Sequence, residues 1–155
     1  MKKQLLSFKH AFEGIISAVR TEPHMRFHLV AAFYVFLFAF LGRFNITQWV
    51  ILILTVSLVI GAELVNTAVE RLCDLYSKKE DKNIKFIKDV SAGAVLVCAV
   101  GAAVTALFLF VFTGKLRDAL FLLVFEHPLW LIPLGISAVL SVLFIILTGR
   151  KNKDK

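Results

Sequence analysis

Four polar side chains lie at helical spacing near the end of a long apolar stretch. Glu63, Asn66, Glu70 and Asp74 follow one another at i, i+3, i+7 and i+11. At about 100° per residue they share one face of a helix, within an arc of roughly 80°. Carboxylate and amide oxygens on one face can bind a divalent cation or take a proton from a hydroxyl group. This stripe is therefore the strongest candidate for chemistry in the chain.

The predicted depth of the stripe in the membrane limits the reactions that it could support. If Ile46 enters the membrane at the outer face, Glu63 lies 17 residues further on, about 25 Å along the helix. Glu63 is then expected near the inner boundary of the hydrocarbon, with Glu70 beyond it. A charged group at the bilayer centre costs about 2.5 to 3.5 kcal/mol. The stripe should therefore be compensated by water, a metal ion or another cation.

Other charged residues reach the same predicted layer. Glu22 precedes the first span, and Lys88 and Asp89 begin the third. Phosphoryl transfer from ATP needs a divalent cation held by oxygen ligands, a positive group for the phosphates and a carboxylate base. Glu22 and Glu70 could hold the metal, and Lys88 could face the nucleotide. Glu63, the deepest carboxylate, could then activate a lipid hydroxyl.

These residues alone leave three classes of function open. Neither usual phosphate-binding loop, GxxxxGK[ST] or GxGxxG, occurs in the sequence. An enzyme that modifies a lipid, an ion or proton transporter that uses the intramembrane carboxylates, and a non-enzymatic protein with a structural cluster all remain. A transport pathway would need polar residues across the outer half of the membrane, where Ser57 and Thr105 are too few.

The elements that must position these residues are apolar helices. Apolar residues make up 59% of the 155 residues, and the mean hydropathy is +0.81, more than a soluble domain of this size can bury. Four apolar stretches are predicted to span a membrane, the first two with flanking residues: 28–41, 46–62, 90–113 and 129–148. Apolar residues at helical spacing in 8–19 predict an amphipathic helix on the inner leaflet. The predicted fold is an all-α membrane bundle with a surface helix, three core spans and a fourth, C-terminal span.

The distribution of basic residues predicts the topology. Of 18 lysines and arginines, 15 fall in residues 1–26, 71–88 and 150–155. By the positive-inside rule these segments face the cytoplasm. The sequence thus predicts a multi-pass protein of the cytoplasmic membrane with both termini inside. The net charge of +7 is explained by this topology and does not indicate a nucleic acid partner.

Three spans differ in composition. The first is rich in aromatic residues, among them Tyr34, which predicts contact with lipid. The third carries many alanines and glycines between residues 92 and 106, which permit close helix approach and predict the central packing helix. The fourth, 129–148, has no charged residue and no obvious polar cluster, so no chemistry is predicted there.

The sequence resembles the prokaryotic diacylglycerol kinase family, which includes the undecaprenol kinases. The resemblance lies in the ExxNTAxE element of residues 63–70, in Asp74, and in Lys88-Asp89 followed by small residues. Residues 12–14 and 22–28 also resemble the family's surface helix and the start of its first span. The resemblance extends over about residues 5–113.

The resemblance implies an ATP-dependent lipid kinase with three spanning helices per subunit. Such a kinase would be a homotrimer with active sites shared between neighbours. By the resemblance, Glu63 is the general base and Asn66 supports the catalytic face. Glu22 and Glu70 are the implied Mg²⁺ ligands, which places them in the cofactor-binding set as well.

The nucleotide is implied to meet residues around the start of the third span. Lys88 and Asp89 would contact ATP, and so would the preceding turn, which contains Lys79, Glu80 and Asp81.

The resemblance also divides the chain and indicates the acceptor. Residues 1–115 form the predicted kinase core, and 116–155 form an outer loop, an additional span and a basic cytoplasmic tail. Within the outer loop, 119–125 is apolar but too short to cross a membrane. Met-Arg-Phe-His at residues 25–28 resembles the undecaprenol kinase branch more than the diacylglycerol kinase branch, so undecaprenol is the favoured lipid.

Overall fold

The computed structural model describes residues 2–76 and 81–147. Its α-helices are α1 Lys2–Thr21, α2 Pro23–Leu41, α3 Ile46–Tyr76, α4 Lys82–Ala106, α5 Lys115–Phe121 and α6 Leu131–Leu147. The π-helical segments Leu107–Phe112 and Leu122–Glu126 continue α4 and α5, and the 3-10 turn Pro128–Trp130 leads into α6. These described residues contain no strand, which confirms the all-α class.

Four helices of the described chain are long and apolar enough to cross a membrane. They are Pro23–Leu41, Ile46–Tyr76, Lys82–Phe112 and Pro128–Ile146. The four predicted spans are thus confirmed, and the first three extend beyond their apolar stretches. α2 begins at Pro23 because proline suits the first helical position. α3 continues past residue 62 because its polar residues occupy only one face of the helix.

The amphipathic helix predicted at the N-terminus is α1. Its apolar side chains Phe8, Phe12 and Ile16 are exposed, which suits a helix that buries this face in a membrane surface. The chain then turns at Glu22, whose backbone is extended (φ −102°, ψ 116°). A residue before proline is restricted to this region, so Pro23 fixes the corner between α1 and α2.

α3, and not α4, is the most buried helix of the chain. Its buried residues are Gln48, Leu52, Val59, Glu63, Asn66, Thr67 and Cys73. Among the residues of α4 only Val95 is buried. A Cβ atom added at Gly93 or Gly101 would meet no atom within 4 Å. The prediction that the third span is the central packing helix is therefore wrong for the single chain, although α3 and α4 form the most extensive helix pair.

The end of the bundle remote from α1 is closed by apolar packing. Phe44, in the turn between α2 and α3, packs against Phe110 with ring centroids 4.7 Å apart. Next to it, Leu41 packs against Ala119 and Leu123, so that α5 and its continuation cover the end of α2. The segment 119–125 thus lies across this end and does not span, as its length predicts.

α6 lies antiparallel to α2 and contacts it through polar groups. The Tyr34 hydroxyl lies 3.0 Å from Ser137 Oγ and 3.2 Å from Ser141 Oγ. Nearer α1, Arg26 donates a hydrogen bond to the carbonyl oxygen of Ile145. The two serines thus form a small polar contact with Tyr34 that was not obvious from the sequence, and Tyr34 faces α6 although the composition of its span predicts contact with lipid.

Candidate active site

One face of α3 carries the predicted catalytic residues into the bundle. Glu63 is only 3% exposed, and Asn66 is 7% exposed. Asn66 Nδ2 donates to Glu70 Oε1 at 3.1 Å, and Asn66 Oδ1 accepts from Ser91 Oγ at 2.6 Å. Since Ser91 lies on α4, the amide of Asn66 links the two helices and fixes one oxygen of Glu70.

Three further charged or ionisable groups lie within electrostatic range of Glu63. Glu22, Glu70 and His24 lie close enough for their charges to act on the Glu63 carboxyl. Glu22 and His24 come from the corner between α1 and α2, whereas Glu70 comes from α3 itself. The structure therefore brings the predicted carboxylates together within one chain. His24 is an addition to the predicted set, and its place two residues after Glu22 was the available signal.

Arg71 ties the corner to α3. Its Nη2 donates to Thr21 Oγ1 at 2.7 Å and lies 3.9 Å from Glu22 Oε1. The sequence identified Arg71 only as one of the basic residues that set topology. Its position beside Glu70 places it at the site, where it balances part of the negative charge.

Lys88 stands on the α4 side of the same layer. Its Nζ forms an ion pair with Asp74 Oδ1 at 2.5 Å, which joins α4 to the last turn of α3. Ser91 Oγ, which donates to Asn66, also lies 3.0 Å from the Lys88 carbonyl oxygen. The neighbouring Asp89 is exposed. Lys88 and Asp74 are thus held together, while Asp89 points away from the buried part of the site.

The turn before α4 has a structural function in the described part of the chain. Asp81 is the N-cap of α4, and its Oδ1 accepts from the N–H groups of Asn83 and Ile84 at 2.7 and 3.3 Å. Such a cap satisfies donors that have no partner within the helix. Lys79 and Glu80, which were predicted to contact the nucleotide, lie outside the described residues.

Thr67 is a residue of the site that the sequence analysis did not single out. Its hydroxyl is buried and has no hydrogen-bond partner among the described residues. Buried polar atoms are usually paired, so such an atom marks a place where a ligand can bind. The spacing of i+4 from Glu63 puts Thr67 on the catalytic face, and this spacing was the signal that could have identified it.

The carboxylates fit a metal ion that arrives with a nucleotide. Mg²⁺ is usually bound by one or two carboxylates together with phosphates and waters. Glu22 and Glu70 offer two carboxylates from different elements at one end of the bundle. No group of three His, Cys, Asp or Glu side chains with the arrangement of a metal site is found in 2–76 and 81–147. Glu22 and Glu70 are the two carboxylates that could hold such an ion together with phosphate oxygens.

An apolar cavity adjoins the carboxylate layer. It has a volume of about 230 Å³ and lies between α2, α3 and α4. Val59 and Ile60 line it about one turn before Glu63, and small side chains on α4, among them Ala99 and Ala103, leave the space open. The cavity runs along α3 from Ile60, one helical turn from Glu63, to Leu52 near the middle of the span.

The fold and the site define a helical membrane protein with buried carboxylates at one end and an apolar cavity beside them. A model of the prokaryotic diacylglycerol kinase family matches residues 9–110. The undecaprenol kinase of Bacillus subtilis (strain 168) is 39% identical over 104 residues, which cover 67% of this chain and 85% of that protein. A diacylglycerol kinase of Synechocystis sp. is 35% identical over 101 residues, which cover 64% of this chain and 58% of that protein. No solved structure matches the chain.

The chain belongs to the prokaryotic diacylglycerol kinase family. It is a membrane protein and a lipid kinase, and membership of a kinase family implies ATP as the phosphoryl donor. The predicted family and enzyme class are thus confirmed. The matched region runs from α1 to the π-helical continuation of α4, so α5 and α6 lie outside it.

Proposed function

We propose that this kinase transfers the γ-phosphoryl group of ATP to undecaprenol and forms undecaprenyl phosphate. The observation that carries the proposal is the position of Glu63, a buried carboxylate one helical turn from Val59 and Ile60, which line an apolar cavity with room for part of a lipid alcohol. The Bacillus subtilis relative, 85% of whose length is matched, is named undecaprenol kinase, and this favours undecaprenol over diacylglycerol as the acceptor. Diacylglycerol is the second candidate, since the other relative is named for it.

The proposed reaction begins at Glu63. Its carboxylate takes the proton of the lipid hydroxyl, and the hydroxyl oxygen attacks the γ-phosphorus of ATP. The bond between the γ-phosphorus and the bridging oxygen breaks, and ADP leaves with that bonding pair. The products are the lipid phosphate and ADP, and the proton on Glu63 passes to water when the site opens. Asn66 supports this face because it fixes Glu70 and joins α3 to α4.

The nucleotide would lie between the corner and α4. Glu22 and Glu70 would hold Mg²⁺, which when bound neutralises phosphate charge in the transition state. Asn66 presents one Glu70 oxygen, and Arg71 approaches Glu22 from α3. Lys88 is the cation that faces the phosphates once it leaves Asp74, and Asp89 is beside it at the exposed edge.

The proposed assembly is a homotrimer in the cytoplasmic membrane with both chain termini in the cytoplasm. Support for the assembly comes from α4, where Gly93 and Gly101 face open space and a neighbouring helix can approach closely. Support for the orientation comes from the 15 basic residues in the three segments assigned to the inside.

The experiment that tests the proposal is a direct transfer assay. The purified protein in mixed micelles is given ATP and Mg²⁺ with undecaprenol and diacylglycerol side by side. Preferred phosphorylation of undecaprenol would support the proposal. Preferred phosphorylation of diacylglycerol would show that diacylglycerol is the acceptor instead. Transfer to neither lipid would contradict both.

Filling the apolar cavity should weaken binding of the lipid. Ala103→Leu adds side-chain volume to the lining and occupies part of the space in which we propose that the lipid binds. We expect the KM for the lipid to rise about tenfold while the KM for ATP is unchanged. The control is Ala138→Leu, which makes the same change at an exposed position of α6. An unchanged lipid KM in Ala103→Leu would contradict the assignment of the cavity.

Replacing Lys88 should weaken binding of ATP. Lys88→Gln removes the positive charge proposed to face the phosphates, and a hydrogen bond to a charged group contributes about 1.5 to 3 kcal/mol. We expect the KM for ATP to rise at least tenfold with the lipid KM nearly constant. Lys85→Gln removes an exposed lysine one turn earlier on α4 and should leave both values unchanged. If the KM for ATP rose equally in Lys88→Gln and Lys85→Gln, the effect would be one of overall charge and not of a contact made by Lys88.

A further inference from the structure

The guanidinium of Arg26 joins three helices at the site end of the bundle. Arg26 lies in the first turns of α2 and is only 1% exposed. Its Nη1 donates to the carbonyl oxygens of Val19 and Arg20 in α1, at 3.1 and 3.2 Å. Its Nε donates to the carbonyl oxygen of Ile145 in α6, at 3.2 Å.

The acceptors Val19 and Arg20 belong to the last turn of α1, and Ile145 lies close to the end of the described part of α6. The last four carbonyls of a helix have no partner within it, and cations are favoured at this end. Val19 in particular would accept from the residue four positions later, but that residue is Pro23, which has no N–H. Arg26 therefore caps α1 and at the same time binds a backbone carbonyl of α6. In a membrane such groups are costly to leave unpaired.

The corner that Arg26 closes also carries Glu22. The Glu22 N–H donates to Ala18 O at 2.8 Å, and the Arg26 N–H donates to Glu22 O at 3.4 Å. Arg71 contacts the same corner through Thr21 and lies near the Glu22 carboxylate. The direction of the Glu22 side chain thus depends on how firmly α1 and α2 are held together here.

The described part of α6 meets α2 through these polar contacts and through Leu134, which packs against the cluster around Leu41. None of the residues in its membrane-spanning window is buried. Apolar contact does not drive helices together inside a membrane, where polar contacts and close packing do. Ser137, Ser141 and Ile145 lie at i, i+4 and i+8 and form one stripe, which meets Tyr34 and Arg26 on α2.

We infer that α6 is a positioning element of the kinase site, although it lies outside the region matched by the family. Tyr34 holds α6 in register, the last turn of α6 holds Arg26, and Arg26 holds the corner that presents Glu22. The inference rests on the proposed function, in which Glu22 is a metal ligand. Arg26 and α6 act through Glu22 and do not themselves contact the reacting groups.

The first test loosens α6 without altering the site. Ser137→Ala combined with Ser141→Ala removes the hydroxyl groups that meet Tyr34 and changes little volume. We expect the Mg²⁺ concentration for half-maximal rate to rise about three- to tenfold, as for the loss of one or two hydrogen bonds. The kcat at saturating Mg²⁺ should stay within about twofold, because Glu63 is unaffected. Thr113→Val, which removes a hydroxyl bonded only within its own helix, is the control.

A conservative change at Arg26 gives a second variant. Arg26→Lys keeps the charge, but a single ammonium group cannot reach both helix ends in the way that the fork of a guanidinium does. We expect the same selective rise in the Mg²⁺ requirement, and a larger one than in the serine variant. If Arg26→Lys does not fold, the serine variant still decides the question.

The second readout needs neither metal nor nucleotide. A nitroxide label is attached at Ser17→Cys, an exposed position of α1, in the full chain with Cys73→Ala and Cys98→Ala. Removing the two serine hydroxyls should increase the mobility of the label in its spectrum, because α1 is held less firmly. The Thr113→Val change should leave the spectrum as it is.

The outcomes separate the inference from the proposed function. If the wild-type chain transfers phosphate and the serine variant matches it in Mg²⁺ dependence and in label mobility, the inference is wrong and the kinase assignment stands. A fall in kcat with an unchanged Mg²⁺ requirement would also overturn the inference, since it indicates a purely structural role. A wild-type chain that transfers no phosphate to either lipid would overturn the proposed function itself.

Discussion

Glu63→Gln is expected to abolish phosphate transfer while nucleotide binding is preserved. Glutamine has nearly the same size and polarity, but its amide cannot take the proton of the lipid hydroxyl. Loss of a general base typically lowers kcat by about 10²- to 10⁴-fold. Glu22, Glu70 and Lys88 are unchanged in this variant, so the groups proposed to bind the metal and ATP remain. The measurement is kcat in mixed micelles together with the Kd of an ATP analogue.

The control for this variant is another carboxylate of the same chain. Glu13 lies on the exposed side of α1, where its Oε2 is 3.2 Å from His10 Nδ1. Glu13→Gln should retain the wild-type kcat and the wild-type Kd. If Glu63→Gln weakened nucleotide binding as strongly as turnover, Glu63 would be a ligand and its assignment as the base would be wrong. Full activity in Glu63→Gln would show that the carboxylate is structural.

The catalytic face of α3 could be predicted because it is local. Glu63, Asn66 and Glu70 lie within two turns of one helix, so helical periodicity alone places them on one side. Their burial follows from the same pattern, since the opposite faces are apolar and meet lipid. The link from α3 to Lys88 also had a local cause, because the short connection makes α3 and α4 antiparallel neighbours whose charged ends meet.

The surroundings of Arg26 could not be predicted because they depend on distant parts of the chain. Arg26 and Ile145 are separated by 119 positions, and Tyr34 lies 103 positions from Ser137. An arginine just before an apolar stretch is ordinarily a topology signal, and nothing near it in sequence indicates burial. The two serines are equally ordinary, since a hydroxyl in a membrane helix commonly bonds to its own backbone.

The position of α4 shows a different limit of prediction from sequence. Its alanines and glycines predict that another helix can approach closely, but composition does not identify which helix. Within one chain α4 contacts α3 on one side and leaves Gly93 and Gly101 open on the other. Burial in a single chain is therefore a poor measure for a helix whose open side is proposed to meet a second subunit.

Glu70→Gln is expected to raise the Mg²⁺ concentration needed for half-maximal rate. A neutral amide oxygen is a poorer ligand for a hard cation than a carboxylate. Loss of a residue that only hydrogen-bonds to a metal ligand lowers the affinity for the metal about 10- to 100-fold. Loss of a ligand itself should lower the affinity for Mg²⁺ at least as much. The kcat at saturating Mg²⁺ should fall less than in Glu63→Gln. The measurement is the rate as a function of Mg²⁺ at a constant concentration of ATP.

The comparison with Glu22 decides whether the two carboxylates hold one ion. Glu22→Gln alone should raise the Mg²⁺ requirement in the same way, while Asp118→Asn, at the other end of the bundle, should not. If both carboxylates bind the same ion, the double variant should depart clearly from the product of the two single effects, because residues that share a partner are coupled. Strictly multiplicative effects would instead indicate independent contributions. An Mg²⁺ dependence unchanged in both single variants would contradict the proposed metal site, and the convergence of Glu22 and Glu70 would then serve only to set the charge around Glu63.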